Sequence, residues 1–220
     1  MSIRDTIKIA KQDEDTRHNF EKFLSSKVPT LHRNISLPTE DKQRSLFEFL
    51  NRYVEHVPNM IEALKQLTKN IESYEFAEPI LDVIEGYFLA PPEFIACRHH
   101  GLHALIDEAY LAHRLIEEVN DRMMLISGVP LAPMDMTISN LIVHDILGEE
   151  FANELDCAVS YNVDMLFNSQ KLSQNLAFQR YVEFHRRNGW QDDLEEWPCL
   201  AGDSTIFLIF DHAAMKPTLH

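Results

Sequence analysis

The chain has 220 residues and carries 20 Lys and Arg against 35 Asp and Glu, a formal charge of −15. That balance excludes nucleic acid and anionic membrane surfaces as broad electrostatic partners, because both repel it. A 45% hydrophobic share excludes disorder as the default state, and six glycines are too few for the tight turns of an all-β sandwich or barrel.

The N-terminal twenty residues are charged throughout, with no apolar stretch of signal-peptide length, and no uncharged apolar run approaches the ~18 residues that span a bilayer. Cys97, Cys157 and Cys199 are odd in number, widely spaced and form no CxxC. They read as reduced thiols. The expectation is a soluble, cytoplasmic protein without membrane or nucleic-acid partners.

Residues 4 to 27 are polar with scattered apolar positions, which predicts a loose N-terminal helix, and the prolines between Val28 and Pro38 predict a connector. Leu46, Phe49, Leu50, Tyr53, Val54 and Val57 recur at spacings of three and four, a helical pattern that Pro58 is expected to stop. Two more helices follow on the same criterion, from about Met60 to Tyr74 and from Pro79 to Phe88. Pro91 and Pro92 would sit in the first turn of the longest helix, which runs to about Ser127 and ends at Gly128. A further segment runs from about Thr137 to Val159, with Gly148 as the point where it either bends or runs straight, and the last helix starts at Ser169 or Ser173 and ends at Gly189. Beyond Trp190 lies an acidic stretch and the β-like run Ser204 to Phe210. Its seven residues suit a buried strand, a short helix or an arm on another subunit.

The fold expected is therefore all-α, a single-domain bundle of about six helices. Residues 1–38 form the N-terminal helix and connector, 39–190 the bundle, and 191–220 an extension packed on the bundle or on a partner subunit.

The chemistry concentrates between Arg98 and Arg122, where four of the eleven histidines fall on one predicted helix. With Leu102 at zero and about 100° per residue, Leu105, Ala109, Ala112, Ile116, Val119 and Met123 form the expected buried stripe. His113 lies beside it, while His99, His103, Asp107 and Glu117 fall further round toward solvent. Each of the pairs His99 and His103, His103 and Asp107, and His113 and Glu117 is one turn apart, the spacing at which one helix face offers two ligands to a metal. His103 and His113 are about 15 Å apart along a helix, so one ion cannot bridge them and a second helix must contribute. His144, Asp145 and Glu149 are the candidates there, provided that the helix stays straight through Gly148.

This set would depart from ferritin-like di-iron bundles, since no Glu here has a His three residues later. No GxGxxG, Walker loop, GxSxG or HExxH is present. Two functions follow. One is a metal-binding bundle holding iron, zinc or manganese, acting as an oxidoreductase or hydrolase through bound water or dioxygen. The other is a non-catalytic interaction or small-molecule-binding module that forms a homodimer, in which the same side chains are surface pairs. Cys97 stands beside Arg98 and His99 like an activated thiol, but neighbours in sequence on a helix point in different directions, so it reads as a buried structural cysteine. Residues Tyr181 to Trp190, basic and aromatic, read as a helix C-terminus whose His185, Arg186 and Arg187 complement the macrodipole.

Overall fold

A computed structural model describes residues 1–96, 98–169, 174–190 and 206–209. The fold is all-α. The helices are α1 (Ile3–Arg17), α2 (Asn19–Lys27), α3 (Lys42–Asn70), α4 (Tyr74–Leu89), α5 (Glu93–Ala96), α6 (Leu102–Ser127), α7 (Thr137–Leu147), α8 (Glu149–Ser169) and α9 (Leu176–Asn188). Cys97, Cys199 and most of the C-terminal stretch 191–220 lie outside the described residues. No helix among those described is long and apolar enough to cross a membrane.

Helix α6 is the axis of the bundle, with α1, α3, α4, α7 and α8 packed around it. From Leu105 to His113 every residue of α6 is buried, polar ones included. The expectation of one buried stripe with a solvated back therefore does not hold here. A central helix has neighbours on every side, so its charged residues enter the core as well as its apolar ones.

The N-terminal segment is packed, not loose. Ser2 and Asp5 form a capping box, and Ile3, Ile7, Ala10 and Glu14 are buried at helical spacing. The Glu14 carboxylate then accepts hydrogen bonds from the Phe20 and Glu21 amides at 2.8 and 3.0 Å, capping α2 across the left-handed turn at His18. Phe20 and Leu24 join the core.

Pro58 does not end its helix but lies inside α3, and Pro79 lies inside α4. An interior proline costs about 3 kcal/mol. In α3 the buried row Leu50, Tyr53, Val57, Met60, Ile61 and Leu64 runs straight through Pro58. At about 1.5–3 kcal/mol for each large side chain buried, continuity of that face outweighs the lost hydrogen bond.

The two remaining boundaries concern the candidate site. Helix α6 starts only at Leu102, after a turn at Gly101 with φ +62°, a conformation that side chains disfavour. His99 and His100 thus stand on a connector rather than in a helix. Gly148, with φ +89°, separates α7 from α8 instead of bending one helix. The registration expected across it, from Asp145 to Glu149, fails. Helix α9 begins at Leu176, where the Asn175 side chain accepts from the Ala177 and Phe178 amides.

The strand-like C-terminal run contributes β2 (Phe207–Leu208), antiparallel to β1 (Ile35–Ser36), with Ile35 opposite Leu208. Its Ile206 is buried.

Candidate metal centre

The sequence-predicted residues divide into one set that converges and one that does not. His99 on the connector meets His103 and Asp107 on the first two turns of α6. One ligand atom from each of the three lies within 4.8 Å of the others, and no other such group of His, Cys, Asp and Glu occurs among the described residues. The imidazoles stack at 3.6 Å and 14°, and a ring nitrogen of His99, Nδ1, is 2.7 Å from an Asp107 carboxylate oxygen. The tight turn at Gly101 folds His99 back over α6, which is how a residue outside the helix reaches residues within it.

The surroundings are apolar. Phe23 of α2 covers the His103 ring at 4.1 Å, with Phe20 at 5.8 Å, and Phe151 of α8 meets His99 edge-on while Arg98 lies over the same Phe151 ring at 3.9 Å. Burial, with help from His99, Lys27 and Arg98, pushes His103 down to about 3, so its imidazole is neutral with a free lone pair at physiological pH. Asp107 is fully buried, which raises its carboxyl, and the His99 hydrogen bond offsets part of that. Its second oxygen, Oδ1, has no partner.

Next to it, Glu108 is only 6% exposed, and burial together with Asp107 pushes its carboxyl up to about 8. Glu108 makes no hydrogen bond or ion pair, and its Oε2 is buried without a partner. The sequence offers no signal for this beyond its place beside Asp107.

The remaining candidates serve other contacts. His113 is fully buried and its Nε2 lies 2.9 Å from His56 Nδ1 of α3, while the Tyr53 ring packs on it at 4.2 Å. Glu117, one turn on, instead pairs with Arg114 and accepts from Thr137 Oγ1 and Asn140 Nδ2 of α7. Arg114 also donates to Asp156 of α8 at 2.9 Å, and Tyr110 donates to the same oxygen at 3.1 Å. Tyr53 closes the chain by donating to Asn140 at 2.7 Å. His113 and Glu117 are one turn apart, yet different neighbours claim them. His144 faces Asn153 at 3.4 Å, Asp145 accepts the His32 amide at 3.0 Å, and Glu149 is exposed in the first turn of α8.

The basic segment ends α9 as a helix C-terminus. His185, Arg186 and Arg187 occupy its last turn, Arg186 donates to the Ser127 carbonyl at 2.5 Å, and Trp190 stacks on His185 at 3.8 Å.

None of the known protein families, curated proteins or solved structures compared with the chain matches it. The chemistry has to be argued from the side chains themselves.

Proposed function

We propose that the protein binds a divalent transition-metal ion through His99, His103 and Asp107 and acts on water or dioxygen at that ion, as a hydrolase or oxidoreductase. Two imidazoles and a carboxylate are a donor set that suits zinc, ferrous iron or manganese. Three protein ligands leave at least one coordination position open. The observation that carries the reading is Asp107: a fully buried carboxylate with one oxygen unpartnered is costly, and an ion supplies the opposite charge.

Binding asks for one local change. Ligand lone pairs must converge on a point about 2.0–2.1 Å from each donor. The stacked rings, at 14°, have to tilt apart. His99 lies on the connector, where such a rotation disturbs no helix.

The test is elemental analysis of untagged, chelator-free protein after incubation with zinc, ferrous iron and manganese in turn. We expect about one ion per chain. His103→Ala and Asp107→Asn should each lose the ion while keeping the helical circular dichroism. A metal-free wild type, or unchanged content in both variants, would sink the assignment.

A second reading, the non-catalytic homodimeric module, draws on the last turn of α6. There Met124, Leu125 and Ile126 are exposed in succession, Leu125 at 85%. On this reading sedimentation equilibrium gives a dimer that Leu125→Glu converts to monomer. A wild type that is monomeric throughout removes it.

A further inference from the structure

The three proposed ligands are not equally enclosed. Asp107 is fully buried, whereas 23% of the His99 side chain is exposed, so a substrate reaches the centre from the His99 side. Arg98 stands beside it. The guanidinium lies 3.9 Å over the ring of Phe151, which also meets His99 edge-on, and it makes no hydrogen bond or ion pair among the described residues. A contact with a ring face is made by the charge, so the N–H donors of Arg98 remain unspent. A second cation comes from α2. Lys27 follows Phe23, the cover of His103, by one turn on the same helix face, and its ammonium likewise has no hydrogen-bond or ion-pair partner among the described residues. The charges of both side chains act on His103, and that of Arg98 acts on Asp107 as well.

We infer that the metal centre takes a small phosphate-bearing substrate, its phosphate seated on the open position of the ion and held by Arg98, with Lys27 adding charge from the α2 side. This rests on the metal reading above and names its substrate class. A divalent ion together with Arg98 and Lys27 outweighs the carboxylates of Asp107 and Glu108 even with both ionised, so the loaded site is positive. The chain as a whole, at −15, repels polyanions. A positive locus on an acidic molecule therefore selects a small anion. Phosphate suits it better than carboxylate, because a tetrahedral dianion has oxygens for the ion and for the guanidinium at once, and the planar fork of Arg98 matches two of them. A carboxylate has only two oxygens to divide between the same partners.

The test uses protein loaded with cobalt(II), whose visible bands report its coordination, freed of unbound ion and held at constant ionic strength. Inorganic phosphate should shift those bands saturably, with an affinity at least about tenfold above that of acetate. Arg98→Met should weaken phosphate binding by about tenfold or more, the ratio that one charge-assisted hydrogen bond supplies, and Lys27→Met should weaken it by less. Both variants should hold as much cobalt as the wild type, by elemental analysis before and after the titration, because neither side chain is a ligand. A wild type that takes up no cobalt overturns the metal reading and this one with it. Three results with loaded protein overturn this inference alone and leave the metal centre standing: bands that phosphate does not move, acetate bound as tightly as phosphate, or equal phosphate affinity in the wild type and in both variants.

Discussion

Replacing Arg114 with methionine should lower the stability of the fold by about 2–3 kcal/mol. The guanidinium joins Asp156 of α8 to Glu117 of α6, and Glu117 in turn holds Thr137 and Asn140 of α7. Without it two carboxylates face each other across the α6–α8 seam, with Tyr110 oriented toward an Asp156 that has lost its cation. Removing one partner of a fully buried pair costs about 3–5 kcal/mol. Here Arg114, Glu117 and Asp156 are 20–28% exposed, and solvent screens part of that cost.

For a chain of this length each kcal/mol moves the melting temperature by about 2–4 °C, which gives a drop of about 4–12 °C. Adding Asp156→Asn to Arg114→Met should recover about 1 kcal/mol, because the neutral amide removes the repulsion that the first change creates. Arg44, whose pair with Glu48 is more than half exposed, is the control. Arg44→Met should shift melting by under about 2 °C. If Arg114→Met moves it no further, the cluster is an ordinary surface network.

The helical class and the role of the α9 C-terminus were legible because they depend on local spacing; the approach of His99 to His103 and Asp107 was legible only as a list of residue types. The helical geometry assumed for His99 was not what brought it there. Its i, i+4 relation to His103 implies one turn of helix, whereas the chain turns at Gly101 and returns His99 to the same face. The burial of Asp107 and Glu108 was not legible. A helical wheel assigns one side to solvent, and only the packing of α1, α3, α4, α7 and α8 about α6 removes that side. The same is true of Pro58, whose local cost is visible in sequence while the continuous buried face that overrides it is not. Likewise, His113 and Glu117 share a face on paper. The partners that separate them, His56 and Asn140, lie 57 and 23 residues away, beyond the reach of any local pattern.

The His56–His113 pair gives the second large effect, on acid stability. Burial, reinforced by His56, holds the His113 imidazole well below its ordinary range, so it stays neutral in the native state. In the unfolded chain it takes a proton near its ordinary value of about 6.5. Below that pH the unfolded state binds more protons, and stability falls as pH falls, by up to about 1.4 kcal/mol per unit for one group. The contribution is intact above the unfolded value and is lost progressively under it; between pH 7 and pH 5 the loss is about 2 kcal/mol.

Glu108, pushed up to about 8, acts with the opposite sign. It binds its proton more readily when folded, so it favours the fold as pH falls through the same window. The wild-type pH curve alone is therefore the sum of opposing slopes. The difference between wild type and His113→Gln isolates the imidazole, because Glu108 is common to both. Glutamine can still bond His56 Nδ1 and does not titrate. Denaturant unfolding at pH 7, 6 and 5 should show the stability gap between the two proteins move by about 2 kcal/mol in favour of the variant toward pH 5. Parallel curves would mean that His113 is protonated in the native core at pH 5. The hydrogen bond to His56 would then have to reorganise, since protonation of one ring removes an acceptor that the pair needs.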